Sequence, residues 1–148
     1  HVSVGATVVV NANDCYFDNL TLENSWGHDK QAGPQALALN TTGDRTVFKN
    51  VAMLSYQDTW ITPSTSNYRV YAKDCFIEGA VDFIYNSGNV YIDNTTLYIN
   101  HVISRRFWME SILVCSSLNL FTIWQIPCVW IVLSRNIRIW FDMTSSFF

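Results

Sequence analysis

The 148-residue chain predicts an all-β fold, a right-handed parallel β-helix wound as a single solenoid. Three observations predict it. First, FDNLTL (17–22), FKNVAM (48–53), AKDCFI (72–77) and IDNTTL (92–97) superimpose without gaps. Asn19, Asn50, Asp74 and Asn94 share one aligned position; Leu22, Met53, Ile77 and Leu97 share another. Second, these units recur at steps of 31, 24 and 20 residues, an interval that suits coils stacked on one another. Third, Asn, Asp, Thr and Val dominate these segments, so helical periodicity is weak and β-structure is favoured. A β-sandwich with evenly spaced strands is the competing architecture on pattern alone.

Taken in order, TVVV (7–10) is a strand by its β-branched content. Each repeat unit then supplies alternating apolar residues to an inward face. The Asn19, Asn50, Asp74 and Asn94 positions form an internal column that can hydrogen-bond from coil to coil. Between the units lie GPQALAL (33–39), SYQDTW (55–60) and GAVDFIYNSG (79–88), each strand-like and each carrying an isolated polar group. Asn-x-Thr sequons occur at Asn19, Asn40 and Asn94; with Asn19 and Asn94 in the column, Asn40 is the expected surface acceptor.

Composition excludes several classes. The net charge is -3 and only 14% of residues are charged, which is not a nucleic-acid-binding balance. Cys15, Cys75, Cys115 and Cys128 form no CxxC pair, so no zinc site is expected, and Cys15 and Cys75 read as small core residues. His28 and His101 belong to no motif and read as loop residues. The chain divides at residue 100. All six Gly and ten of the twelve acidic residues precede it, whereas residues 101–148 hold four of the six Trp and an uncharged run from Ser111 to Leu133. That run has the length of a membrane span, but its Ser, Asn, Thr, Gln and Pro residues argue against one. Residues 1–100 are therefore expected to form a partial β-helix domain, and 101–148 an atypical hydrophobic tail of non-native or alternative origin.

The isolated polar groups have their own spacing. Gln35 and Gln57 lie 22 residues apart, and Asp58 precedes Asp82 by 24, close to one coil. Stacked strands are about 4.8 Å apart, so two carboxylates and two amides can meet at one small group. Carboxylates that close divide their roles, one held protonated and the other ionised. The alternative is a set of buried structural polar residues. Gln57 and Asp58 would also point to opposite faces of a perfect pleat, so a bulge or strand end must intervene for both to serve one site.

QALAL, YQDTW and GAVDFIY resemble, in order, the three signature blocks of the pectin methylesterases (pectinesterases), usually close to QAVAL, YQDTL and GTVDFIFG. DCYFDNLTLENS and YRVYAKDCFIEG resemble that family's connecting coils, and the resemblance covers residues 6–100. It implies a secreted carboxylic ester hydrolase of plant cell walls, acting on methyl-esterified homogalacturonan without a metal or organic cofactor. By motif, Asp82 would be the nucleophile and Asp58 the acid, then base. Gln35 and Gln57 would stabilise the oxyanion. Tyr56, Trp60, Phe83 and Tyr85 are candidate sugar-stacking walls, with core packing expected for at least half of them. A proteinaceous pectin methylesterase inhibitor is a further implied partner; nucleic acid and membrane are not.

The sequence also departs from that pattern. No Gly-Arg-x-Trp block occurs, and Arg106-Phe107-Trp108 follows Asp82 too closely to be its counterpart. Trp60 replaces the usual Leu and Asn86 the usual Gly. The β-helix is thus expected to be incomplete and the chain weakly active. The competing readings are an inactive pectin-binding or inhibitor-binding remnant, and another β-helix pectin-degrading enzyme, a lyase or a polygalacturonase. A lyase needs an acidic calcium cluster and a galacturonase clustered Asp residues, neither of which the motifs supply.

Overall fold

The computed structural model describes residues 5–100 and, beyond them, the backbone of four strands between residues 113 and 141. Two parallel sheets carry the coils. The first contains β1 (Val8–Val10), β3 (Leu39–Thr41), β5 (Trp60–Ile61) and β8 (Ile84–Tyr85), each hydrogen-bonded to the next. In the second, β2 (Tyr16–Glu23) pairs with β4 (Thr46–Leu54). The first half of β4 then pairs with β6 (Arg69–Lys73) and its second half with β7 (Phe76–Gly79). β6 and β7 are followed in the same way by β9 (Asn89–Asp93) and β10 (Thr96–Ile99). One short helix, α1 (Ser25–Lys30), interrupts the path between β2 and β3. This is the parallel β-helix that the repeat predicts.

The register is the one read from the repeats. Leu22 pairs with Met53, Met53 with Ile77 and Ile77 with Leu97. These side chains enter a core with Phe48 and Trp60, whose rings meet edge to face at 5.8 Å between centroids. Cys75 belongs to that core and Cys15 packs against it, both as free thiols.

The Asn column exists, but it lies outside the core. Asn19, Asn50, Asp74 and Asn94 have φ of 56°, 51°, 55° and 43°, the left-handed region that Asn and Asp tolerate best. Each bends the chain at the corner between two strand halves, and a side chain at such a corner points away from the core. Asn50 Nδ2 donates to Asn19 Oδ1, and Asn94 Nδ2 to Asp74 Oδ1 at 2.6 Å. Asn19 and Asn94 are exposed. Asn40, the expected surface acceptor, is instead only 6% exposed, because β3 is flanked by β1 and β5.

A second corner is stapled by charge. Asp44 accepts from Arg69 Nη2 and Arg45 Nη1, each at 2.8 Å, and from the Arg69 N–H at 2.7 Å. Arg45 reaches back to Asp14 at 2.7 Å, so three coils are joined.

The tail strands are β11 (Leu113–Val114), β12 (Phe121–Gln125), β13 (Val129–Leu133) and β14 (Arg138–Phe141). β13 runs parallel to β9 and β14 parallel to β10. His101, Arg105, Arg106, Trp108, Cys115 and Cys128 lie outside the described residues, as does most of the expected tail. Among the described residues no helix is long and apolar enough to cross a membrane.

Candidate active site

The polar residues collect on the first sheet, just ahead of β5 and β8. Leu39 pairs with Trp60 and Trp60 with Ile84, and upstream Gln57 bridges Val81. The Ala36 N–H donates to the Gln57 carbonyl and the Asp58 N–H to the Val81 carbonyl, both at 3.0 Å. Counting along this register puts Leu37, Asp58 and Asp82 at the same height on three successive coils. The two aspartates are therefore neighbours across one strand spacing, about 4.8 Å, and the charge of Asp82 acts on Asp58.

The pleat conflict between Gln57 and Asp58 is resolved by the backbone. Asp58 has φ 62° and Asp82 φ 47°, so each leaves the extended conformation at the rung where its carboxyl is needed. Gln35 stands one residue out of step, since Ala36 lies opposite Gln57. The Gln57 side chain nonetheless lies against the loop that carries Gln35, its Oε1 2.9 Å from where a Cβ on Gly33 would fall. Gln35 is exposed and Gln57 half-buried.

The carboxyls differ in surroundings. Asp58 is 2% exposed, and its buried Oδ1 has no hydrogen-bond partner. Burial above all, and then the negative charge of Asp82, push its pKa up to about 6, against the opposing effect of a hydrogen bond from Tyr85. Asp82 is exposed, while Phe83 and Ile84 after it are buried. The apolar run is thus a core strand that displays one acid. Its entry needs Gly79, where a Cβ would fall 2.2 Å from Phe83 Cβ.

Three of the four candidate sugar walls are buried, in the core-packing role expected for at least half of them. Trp60 is fully buried, and its Nε1 donates to Thr41 Oγ1 at 3.0 Å. Phe83 and Tyr56 are 8% and 5% exposed. At these positions the side chains fill space between or beneath the sheets, which leaves no ring face for a sugar. Tyr85 keeps part of its surface open.

No local motif points to a role for His28, read from the sequence as a loop residue. It lies on α1 with Nδ1 3.0 Å from Glu23 Oε1 and Nε2 3.4 Å from Glu78 Oε1. Glu78 also accepts from Asn100 Nδ2 at 2.6 Å. This cluster ties α1, and the Gln35 loop after it, to β2 and β7. Glu78 stands fifty residues from His28 in sequence, so no local motif could reveal the pair.

Fold and site together define a class: parallel β-helix proteins that display a stacked carboxylate pair, one closed and one open, on the first sheet. Within that class, a pectinesterase family model matches residues 3–110, and the chain belongs to the pectinesterase family. Pectinesterase 2 of Olea europaea is 39% identical over 95 residues, 63% of this chain and 25% of that protein. Pectin methylesterase PemA from Erwinia chrysanthemi matches in structure with a TM-score of 0.56 at 31% identity, covering 67% of this chain and 32% of that one. A crystal structure of pectin methylesterase in complex with hexasaccharide VII matches with a TM-score of 0.67 at 25% identity, covering 97% of this chain and 44% of that one. The chain spans about a quarter of the length of the curated relatives it matches.

Proposed function

We propose that this chain carries the carboxylate machinery of a pectin methylesterase, which hydrolyses methyl esters of homogalacturonan outside the cell, in the plant wall. The observation that supports it best is the pair Asp58 and Asp82, at one height on adjacent coils and in opposite environments. The open carboxylate of Asp82 attacks the ester carbonyl carbon, and the carbonyl electron pair moves onto oxygen. The amide N–H groups of Gln35 and Gln57 donate to that oxyanion. As the tetrahedral centre collapses, the C–OCH3 bond breaks and protonated Asp58 gives its proton to methanol, leaving an anhydride between Asp82 and the sugar acid. Asp58, now ionised, takes a proton from water as the water adds to the sugar-side carbonyl, and Asp82 departs as carboxylate. The pKa of Asp58, about 6, lets one group serve as acid and then base in weakly acidic surroundings.

Methanol release from methyl-esterified pectin tests this. Asp82→Ala is expected to lower kcat at least ~1,000-fold, as loss of a nucleophile does elsewhere. Equal release by the variant would remove Asp82 as the nucleophile, and none by the parent chain would favour the binding-remnant reading.

A further inference from the structure

The fold treats the three Asn-x-Thr sequons differently. Asn40 is 6% exposed in β3, between β1 and β5. The hydroxyl of Thr42, the third residue of its sequon, lies 2.7 Å from Asn11 Oδ1 and 3.2 Å from the Val10 carbonyl. A sugar on Asn40 would force those strands apart. Asn94 is exposed, but its Nδ2, the atom a glycan would occupy, donates to Asp74 Oδ1 at 2.6 Å. Its third residue, Thr96, lies in β10 between β7 and β14. Asn19 differs on each count. Both Asn19 and Thr21, two residues on, are exposed. Among the described residues β2 pairs only with β4, and no group accepts from Asn19 Nδ2, since the contact with Asn50 uses Oδ1. With φ 56°, Asn19 projects outward from its corner, so a coil stacked along the axis would lie beside it and not over it. A groove of about 330 Å³ runs from Asn19 past Asn50 and Ala52 to Phe76, a volume that suits a small ligand.

We propose that Asn19 is an N-glycosylation site, carrying an oligosaccharide on Nδ2 at the outer corner of the second sheet. This rests on the extracellular part of the reading above and not on the esterase chemistry. The donor is a lipid-pyrophosphate-linked oligosaccharide, presented by a transferase of the secretory pathway. Nδ2 attacks the anomeric carbon of the first sugar. The bond from that carbon to the pyrophosphate oxygen breaks as the carbon–nitrogen bond forms, and the amide gives up one proton. Oδ1 is untouched, so Asn50 keeps its acceptor. The groove beside the corner gives the first sugar a surface to lie against, ending at the Phe76 ring that stacks on Tyr98. Asp58 and Asp82 stand on the other sheet, so the glycan leaves the carboxylate pair open.

The test expresses the full chain behind a secretion leader in plant cells and recovers the folded protein from the secretory compartments and the medium. A peptide N-glycosidase used in heavy-oxygen water turns each glycan-bearing Asn into labelled Asp, which peptide mass spectrometry locates. The expected result is label at Asn19 alone, with the loss of a single glycan's mass from the intact chain. Thr21→Val removes the sequon hydroxyl but keeps Asn19, its backbone conformation and its contact with Asn50, and should abolish that mass difference. Thr21→Ser should retain it. A parent chain without glycan, label on Asn40 or Asn94, or a mass difference that survives Thr21→Val overturns the proposal. If Thr21→Val fails to fold, the position of the label in the parent decides alone. Methanol release by the same preparation reads the esterase assignment separately. Label at Asn19 in a chain that releases no methanol upholds the glycan site and rejects the esterase reading instead.

Discussion

Trp60 shows how far a side chain's surroundings can override its type. An indole in a cleft block suggests sugar stacking, yet here it is enclosed by Phe48 and hydrogen-bonded to Thr41, with no exposed surface. Replacing it by Ala should leave a cavity and lower unfolding free energy by about 3–5 kcal/mol in urea titration. A KM effect without loss of stability would restore the sugar-wall role. Asp58 makes the complementary point. A carboxyl with one oxygen out of water and unpaired is costly in its ionised form, and proximity to Asp82 adds to that cost.

At the scale of elements, the corner residues decide how strands join. The bend between strand halves demands positive φ at every coil, and Asn or Asp occupies each one, adding side-chain bonds along the column. Asn50→Ala should therefore destabilise by about 1–2 kcal/mol, since an alanine methyl group crowds the backbone in the left-handed region. Asn50→Gly, free of that strain, should cost less than half as much. Equal losses in the two variants, measured by denaturant midpoint, would shift the credit from backbone conformation to the Asn50–Asn19 bond.

For the whole molecule, two aspartates give the stability curve opposite slopes. Asp44 is held well below the usual carboxylate range, first by its hydrogen bond from Arg69. Its contribution is present above the ordinary aspartate value and is lost as pH falls below it. Asp58 is raised from 3.8 to about 6, so the folded state binds more protons than the unfolded chain between those values. Stability should therefore decline as pH rises through that window and level off above it. Thermal midpoints followed from acid to neutral pH should fall on both sides of a maximum, and Asp58→Asn should remove the decline on the higher-pH side. A parent curve that rises steadily to neutrality would contradict the buried state of Asp58.

What the sequence alone determined was the solenoid, its register and the rung of aspartates. Leu22, Met53, Ile77 and Leu97 mark equivalent points of successive coils, and once one pair is aligned a parallel ladder fixes the rest. Asp58 and Asp82 were legible because their separation of 24 residues is one coil, whereas Gln35 falls one residue out of step with Gln57. The direction each side chain takes was decided only by the tertiary structure. Positive φ turned the Asn column outward and moved Asp58 and Asp82 off the pleat. Flanking strands buried Asn40, and packing between the sheets enclosed Trp60 and Phe83. The meeting of His28 with Glu78 joins residues on different coils. Such a pair leaves no local period in the chain, because it exists only once coil has been laid on coil.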